Sequence, residues 1–372
     1  MTIDEKYIKR CIQLASNGLC NAAPNPMVGA VIVHDDRIIG EGYHACCGQG
    51  HAEVNAIASV KERELLKEAT IYVSLEPCSH YGKTPPCADL IVRTGIPRVV
   101  VGCVDPFSKV SGRGIQRLRD AGVEVKVGVL EEECRQLIRR FVTFNLKERP
   151  YVTLKWAQSA DGFMDVHREG GHAVVLSTPI TSAYVHKQRA EHKAILVGRR
   201  TALLDNPSLT TRHWYGKNPL RLVIDRQLTL PTDLRLFDGQ TETIVFTEQN
   251  IDSKAQNIGS KEQSIDSKAQ SIDNREHEKE SRSNLIYIKL DFGTDILPQI
   301  MHVLYERKIQ SLLVEGGSQL LQSFIDSGLW DEIYVEHSAK ELRDGVKSPV
   351  IPHGFVSEFT QRDHITVSHY QK

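Results

Sequence analysis

The sequence places one histidine and two cysteines where they can hold a single metal ion. His51 stands in His51-Ala52-Glu53, and Cys78 and Cys87 close the two ends of a later segment. Imidazole and thiolate ligands suit zinc, and three protein ligands leave the fourth coordination position open, as in catalytic rather than structural zinc sites. The N-terminal half of the chain is organised around this set of ligands.

The residues around these ligands match a known catalytic signature. Zinc deaminases carry H-x-E followed by P-C-x-x-C, whereas here eight residues separate Cys78 from Cys87. Removing an aromatic amine by hydrolysis needs a strong nucleophile at neutral pH, and zinc supplies one by lowering the pKa of bound water to about 7. Glu53 is not needed as a ligand, so its carboxylate is free to move protons. We predict that His51, Cys78 and Cys87 bind zinc and that Glu53 is the general acid/base.

Other interpretations of these residues stay open at this point. Cys46, Cys47 and His80 are rival ligands, and the cysteines could simply be buried, since cysteine often packs as a small hydrophobe. All eight cysteines lie at or before Cys134. A secreted protein held together by disulfides would not leave its second half without cysteines, so we expect a cytoplasmic protein.

Strand and helix patterns alternate along the first half, which predicts an α/β layered sheet. Strands are predicted over 30–33, 37–42, 70–75, 98–102 and 123–127, and helices over 4–17, 51–66, 87–92, 114–121 and 131–147. Cys78 then follows a strand, while His51 and Cys87 begin helices. The positive end of a helix dipole lowers a thiol pKa, which favours metal ligation by thiolate.

A second unit is predicted to begin after a boundary at 148–150. Strand patterns recur over 151–155, 194–197, 222–224, 243–246, 285–288, 311–314 and 332–335, with helices over 182–191, 296–308 and 319–327, which predicts a second α/β sheet. No G-x-G-x-x-G follows the first strand, so a Rossmann dinucleotide fold is not indicated. Gly316-Gly317-Ser318 joins a strand to a helix, where free amides could hold a cofactor phosphate. Arg189 and Arg212 are candidate phosphate ligands.

Composition restricts the classes of function. The chain has 372 residues, which suggests two domains, and its net charge of -1 gives no electrostatic case for binding nucleic acid. No apolar run is long enough to span a bilayer. Residues 250–277 divide into four heptads in which only isoleucine recurs reliably, and this polar composition predicts a disordered surface insertion without a functional role.

Further motifs support a specific resemblance. In the first half they are Pro24-Asn25-Pro26-Met27-Val28-Gly29, the stretch 76–87, Asp105-Pro106 and Gly112-Arg113-Gly114. In the second half they are the segments 150–155, 159–162, 189–190, 201–210 and 314–318. In this order, and with the eight-residue spacer between the cysteines, the motifs resemble the bifunctional riboflavin-biosynthesis deaminase/reductase family.

The resemblance implies a fold and a pair of reactions. Residues 1–147 would form a cytidine-deaminase-like three-layer α/β/α domain, and residues 150–372 a dihydrofolate-reductase-like α/β domain with a low-complexity insertion at 250–280. The first domain would use zinc to deaminate 2,5-diamino-6-(ribosylamino)-4(3H)-pyrimidinone 5'-phosphate. The second would use NADPH to reduce the ribosyl group of the product to ribityl. A homo-oligomer formed through the reductase domain is also implied.

The resemblance also implies roles for single residues. In the deaminase domain the implied substrate residues are Asn25, His44 and Lys83. In the reductase domain the implied substrate residues are Arg189, Leu209, Arg212 and Glu315, and the implied cofactor residues are Ala157, Thr201, Asp205, Gly317 and Ser318. Two segments depart from the family pattern: 173–177 lacks the usual tryptophan, and 339–345 replaces a loop that usually ends in two glycines.

Three alternatives are kept beside this interpretation. The chain could be a single-activity zinc nucleobase deaminase with a degenerate reductase-like domain. It could deaminate another base, such as an adenosine in tRNA, although a strongly basic groove would then be expected. It could also be a binding module that zinc only stabilises.

Overall fold

The structure is a computed structural model that describes residues 1–79, 81, 85–106, 111–250, 284–355 and 357–372. Contacts between residues divide the chain into two compact units, Met1–Pro150 and Tyr151–Lys372. Within the described residues, every helix is too short or too polar to cross a membrane.

The first unit contains five strands and six helices in its described residues. The strands are β1 (Gly29–His34), β2 (Arg37–Tyr43), β3 (Thr70–Leu75), β4 (Arg98–Cys103) and β5 (Glu124–Val127). The helices are α1 (Ile3–Ser16), α2 (Ala52–Ser59), α3 (Cys87–Thr94), α4 (Arg113–Asp120), α5 (Glu131–Leu137) and α6 (Arg139–Lys147). The strands form one sheet in the order β2-β1-β3-β4-β5, in which β3, β4 and β5 run parallel.

Alternate residues of the strands face two different helical layers. Ile32 and Ile71 pack with α2, α3 and α4, whereas Val31 and Tyr72 pack with α1 and α5. Neighbouring positions of a strand point to opposite sides of a sheet, so each strand contributes to both cores. The predicted three-layer α/β/α arrangement of this unit is confirmed.

Two glycines of β2 let α2 approach the sheet at backbone distance. A Cβ atom on Gly42 would lie 2.4 Å from the backbone nitrogen of Ala56, and one on Gly40 would lie 2.6 Å from its carbonyl oxygen. Since no side chain intervenes, the position of α2 is set by backbone-to-backbone contact. His51 is the N-cap of this helix and Glu53 lies in its first turn.

Two predicted helices are wrong in extent. The helix predicted over 51–66 ends at Ser59, and a 3₁₀ helix follows at Arg63–Glu68. The Ser59 hydroxyl donates to the Ala56 carbonyl and accepts the Glu41 amide, and such side-chain bonds compete with the next turn of a helix. The helix predicted over 131–147 is broken at Ile138, whose side chain is buried in the core beneath it.

The second unit is built on a larger sheet. Its strands are β6 (Tyr151–Gln158), β7 (Phe163–Asp165), β8 (Ala194–Gly198), β9 (Leu220–Ile224), β10 (Thr243–Thr247), β11 (Leu285–Lys289), β12 (Ser311–Val314), β13 (Glu332–His337), β14 (Val346–Lys347), β15 (Ser357–Arg362) and β16 (Ile365–Gln371). Its helices, within the described residues, are α7 (Pro179–Glu191), α8 (Arg199–Asp205), α9 (Ile296–Glu306) and α10 (Ser318–Asp326). The predicted α/β class is confirmed.

Nine of these strands form one sheet in the order β11-β10-β9-β8-β12-β6-β13-β16-β15. The strands from β11 to β13 in that order run parallel, and β16 and β15 are antiparallel additions. One face packs on α9 and α10, and the other packs on α8 and the loops around Leu209 and Leu236. In parallel sheets ligands bind beyond the carboxyl ends of the strands, which are here the ends of β8, β12 and β6.

The contact between β2 and α2 generates the first testable prediction. In Gly42→Ala the new methyl group would overlap the α2 backbone, so the helix must shift. We expect the free energy of unfolding of the first unit to fall by about 1–3 kcal/mol, measured by denaturant titration. Gly170→Ala is the control, because its Cβ would meet no described atom within 4 Å. Equal stability of the two variants would contradict the prediction.

Candidate active sites

The three predicted ligands of the first unit lie together at one end of the sheet. Cys78 follows β3, Cys87 begins α3, and His51 caps α2. His51 Nδ1 lies 3.6 Å from Cys78 Sγ and 3.4 Å from Cys87 Sγ, and all three ligand atoms lie within 4.8 Å of one another. Within the described part of the chain, no other group of histidines, cysteines or carboxylates gathers in this way.

The spacing of these atoms fits a zinc ion. Zinc–sulfur and zinc–nitrogen bonds in a tetrahedral site place the two ligand atoms about 3.6 Å apart. The pKa of the Cys78 thiol is lowered to about 4, because the Cys87 thiol and then the His51 ring hydrogen-bond its sulfur. The same contact with Cys78 raises the pKa of Cys87. The donor set is therefore one histidine and two thiols, of which one is readily deprotonated.

Glu53 is buried beside these ligands. Its side chain lies in the first turn of α2 and the residue is 3% exposed. Burial, and then the nearby Cys78 sulfur, raise the pKa of Glu53 to about 7. A carboxyl group in this position can exist in both protonation states near neutral pH.

Asn25 and His44 form a hydrogen-bonded pair next to the ligands. The Gly50 carbonyl can only accept, so His44 Nδ1 donates to it at 3.1 Å, and His44 Nε2 accepts from Asn25 Nδ2 at 3.0 Å. The His44 ring also packs edge-on against the His51 ring, with centroids 5.4 Å apart. Burial lowers the pKa of His44, which agrees with a neutral ring. Two predicted substrate residues are thus brought to the ligand cluster.

The other candidates of this unit fall outside the cluster or outside the described residues. Cys46 and Cys47 are free thiols that do not join the group of three ligands. Lys83 and His80 lie outside the described residues, as do residues 251–283, which hold almost all of the repeat insertion.

The second unit has a cavity of about 680 Å³ at the carboxyl ends of β8 and β12. Among its lining residues are four of the predicted cofactor residues, Thr201, Asp205, Gly317 and Ser318. A Cβ atom on Gly317 would lie 3.2 Å from Thr201 Oγ1, so any other residue would crowd the Thr201 hydroxyl in this corner. The volume, and the start of α10 at the cavity wall, fit a phosphate-bearing cofactor.

Arg168 also lines this cavity and was not identified from the sequence. Its guanidinium donates to Asp165 Oδ2 at 2.6 Å, to the Leu204 carbonyl at 3.1 Å and to the Asp205 carboxylate. The predicted cofactor residue Asp205 is therefore ion-paired within the protein, and the pair links α8 to the chain that follows β7.

Arg189 and Glu315 form a two-pronged ion pair that is largely buried. Arg189 Nε donates to Glu315 Oε1 at 2.8 Å, and Nη2 donates to Oε2 at 2.6 Å. Burial acts to raise the pKa of Glu315, but Arg189 holds it below its usual range. Arg189 and Arg212 also both donate to Thr210, at its carbonyl and its hydroxyl. The structure therefore brings three predicted substrate residues to one place.

A smaller cavity of about 250 Å³ adjoins the first and shares Met164 and Glu315 with it. The predicted cofactor residue Ala157 lines it, as do 174–177 from one of the segments that depart from the family pattern. Lys155 lies on the same wall, with Nζ 3.2 Å from Glu336 Oε1. Ser177 donates to Glu336 as well, at 2.5 Å.

Two details of the second unit differ from what the motifs suggest. Leu209 is 1% exposed because its side chain belongs to the core, so the side chain itself cannot contact a ligand. Asp161 accepts the amides of Leu342 and Arg343, which anchors the departing loop 339–345. Asp161 and Lys155 both stand in motifs that the sequence singled out, whereas Glu336 carried no signal apart from its charge in a strand pattern.

Comparison with known families assigns both units. Residues 1–103 match the family model of the cytidine and deoxycytidylate deaminase zinc-binding region. Residues 150–342 match the family model of the RibD C-terminal domain. The first unit therefore contains a zinc-binding deaminase domain, and the second a RibD-type reductase domain.

Relatives match this chain over almost its whole length. The riboflavin biosynthesis protein RibD of Aquifex aeolicus is 38% identical over 92% of this chain and 89% of its own, and that of Escherichia coli is 35% identical over 91% and 88%. A diaminohydroxyphosphoribosylaminopyrimidine deaminase/5-amino-6-(5-phosphoribosylamino)uracil reductase from Thermotoga maritima, of known structure, is 36% identical and covers 99% of this chain and 98% of its own with a TM-score of 0.84. RibD of Acinetobacter baumannii is 28% identical over the same shares, with a TM-score of 0.82. The chain thus belongs to the RibD family of riboflavin biosynthesis, bifunctional enzymes that join a deaminase domain to a reductase domain.

Proposed function

We propose that this chain catalyses two successive steps on one phosphorylated pyrimidine. The first is hydrolytic loss of the C2 amine from 2,5-diamino-6-(ribosylamino)-4(3H)-pyrimidinone 5'-phosphate. The second is NADPH-dependent reduction of the ribosyl group of 5-amino-6-(5-phosphoribosylamino)uracil to ribityl. The observation that carries the proposal is the cluster of His51, Cys78 and Cys87 with Glu53 buried beside it. The relative from Thermotoga maritima, named as a deaminase and reductase of these two compounds, supports both substrates.

In the deamination step each residue of the cluster has a separate task. His51, Cys78 and Cys87 would hold zinc, which lowers the pKa of a bound water to about 7. Glu53 takes a proton at its carboxylate and delivers one to the leaving amine nitrogen. Its burial excludes bulk water, so the proton moves between the carboxylate and the reacting groups.

Asn25 and His44 are proposed to orient the pyrimidine. His44 Nε2 accepts from the amide nitrogen of Asn25, while the amide oxygen of Asn25 accepts no hydrogen bond within the described residues. That oxygen is suited to accept from an amino group of the base. Lys83 remains the candidate for the substrate phosphate because it is a cation within the spacer.

The reduction step is proposed to take place where the two cavities of the second unit meet. NADPH, which supplies the hydride, would lie in the larger cavity against Thr201, Gly317 and Ser318, with Asp205 at its wall and Ala157 in the adjoining space. Glu315 lines both cavities, so it would contact the sugar of a substrate bound beside the cofactor. Arg189, Arg212 and the Leu209 backbone would bind the substrate on the same side.

We also propose a cytoplasmic location, no nucleic-acid partner and assembly through the second unit. All eight cysteines are free thiols, as expected in a reducing compartment. The net charge of -1 gives the chain no overall positive charge that would attract nucleic acid. In the second unit β15 lies at an open edge of the sheet with Phe359 69% exposed, which favours pairing with another copy.

The two activities are tested separately by zinc removal. Chelated protein should stop releasing ammonia from the diaminopyrimidine yet oxidise NADPH normally when the deaminated product is supplied. Ammonia release is measured by a coupled assay and NADPH by its absorbance. Ammonia release without any NADPH oxidation in the untreated protein would instead support a single-activity deaminase. Zinc-dependent folding without either turnover would support a binding module.

Glu53→Gln tests the proton carrier. The variant keeps its volume but cannot accept a proton, so kcat for deamination should fall by at least 10²–10⁴ while zinc content by metal analysis stays at one per chain. The exposed Glu132→Gln, which makes the same change on the surface of the first unit, is the control. Deamination by Glu53→Gln at the control rate would refute the assignment.

Arg189→Met tests the buried pair of the second unit. Removing one partner leaves the Glu315 carboxylate uncompensated, at a cost of about 3–5 kcal/mol. We expect the unit to melt at lower temperature and NADPH oxidation to be lost, while ammonia release persists. Arg226→Met, which breaks the more exposed pair with Glu248, should cost no more than about 1 kcal/mol. A similar loss of stability in both variants would contradict the prediction, because it would show that the burial of the Arg189–Glu315 pair makes no difference.

A further inference from the structure

A buried carboxylate outside the ligand cluster holds a set of backbone amides together. Glu76 is 6% exposed and lies two residues before Cys78. Its Oε2 accepts the amides of Asp105 at 3.2 Å and Gly112 at 2.9 Å. Its Oε1 accepts those of Gly114 at 2.8 Å and Ile115 at 3.3 Å. One side chain therefore satisfies three amides at the start of α4, which a helix leaves without internal partners, and the amide of Asp105 as well.

These bonds seat α4 directly on the chain that leads into Cys78. A Cβ atom on Gly114 would lie 2.0 Å from the Pro77 carbonyl oxygen and 3.2 Å from Glu76 Oε1. Backbone therefore meets backbone at this point, with no side chain between them. The position of Pro77, and with it the position at which Cys78 leaves the sheet, depends on where α4 sits.

The second turn of α4 contacts the region of both cysteines. Arg117 Nη1 donates to the Ser79 carbonyl at 3.1 Å, and Arg117 Nε lies 2.6 Å from Asp89 Oδ1. Asp89 is in the first turn of α3, which begins at Cys87, and it also accepts from the Tyr81 hydroxyl at 3.3 Å. Helix α4 is thus attached to the chain on both sides of Cys78 and to the helix that carries the second thiol.

From these contacts we infer that Glu76 is a positioning residue for deamination. It fixes α4, and α4 in turn fixes the spacing of the two thiols through Pro77, and the positions of Ser79 and of the start of α3 through Arg117. The inference rests on the proposed deaminase function for its kinetic consequences, whereas its consequence for zinc retention stands without that function. Residues that orient metal ligands from outside the coordination sphere typically contribute 10–100-fold in metal affinity or activity.

Glu76→Gln tests the inference. In glutamine an NH2 group replaces one of the two carboxylate oxygens. That group donates and cannot accept from the two backbone amides that it would face, so two of the four hydrogen bonds are lost. We expect zinc to be lost to a competing chelator about 10–100-fold faster and kcat for deamination to fall within the same range. NADPH oxidation by the same preparation should be unchanged, which reports that the rest of the chain is folded.

Glu124→Gln is the matched control, since it removes the same charge from the surface of the same unit. Zinc release and deamination in Glu76→Gln that equal those of the control would overturn the inference. If the wild type shows no deamination, the proposed function fails, and zinc release alone then decides the role of Glu76.

Arg117→Met keeps the test decisive if Glu76→Gln does not fold. Arg117 is partly exposed, so its loss removes the attachment of α4 to Ser79 and Asp89 without leaving a buried amide unpaired. We expect a several-fold rise in KM for the diaminopyrimidine with kcat and zinc content retained, and Arg117→Lys should recover part of the loss. A general loss of stability with kcat and KM unchanged per folded molecule would show that α4 is only structural, and would overturn the inference.

Discussion

The close packing of α2 on β2 is the contact on which the first active site depends. Gly40 and Gly42 leave no side chain between the sheet and the helix backbone. His51 and Glu53 occupy the start of that helix, so their distance from the end of β3 is set by backbone contact and not by flexible side chains. A ligand and the proposed proton carrier are thereby held on one rigid element, which favours a preorganised site.

The same principle orders the second unit with different residues. There the glycines lie after β12, where Gly317 meets Thr201 at the start of α8 and leaves room at the carboxyl ends of parallel strands. Charged side chains then define the walls, with Arg189 on Glu315 and Lys155 on Glu336. Such buried pairs cost desolvation energy and contribute little net stability. Glu315 and Lys155 line the cavities, so these pairs place charged groups at the cavity walls.

The three residues that the sequence indicated as zinc ligands are gathered in the structure, and the sequence could indicate them because ligand chemistry is a property of residue type and spacing. It also indicated the α/β class, because each strand of a buried sheet is marked by its apolar run. It did not reveal Arg168 or the Lys155–Glu336 pair, since their partners come from distant segments. The sequence did not predict the early end of α2 at Ser59 for a similar reason, because the Ser59 hydroxyl accepts from the backbone amide of Glu41 in β2. Local patterns cannot report contacts that only the folded chain creates.

The point at which the heptad insertion enters the fold has a consequence for how this chain can vary. The insertion lies in the chain between β10 and β11, and β11 is an edge strand of the nine-stranded sheet. The strands β8, β12 and β6 lie in the interior of the sheet. Doubling the length of a loop adds only about 0.6 kcal/mol of closure entropy. Gains and losses of whole seven-residue units can therefore accumulate at this junction while the catalytic strands are untouched, which makes it a tolerant position for length polymorphism or for an inserted tag.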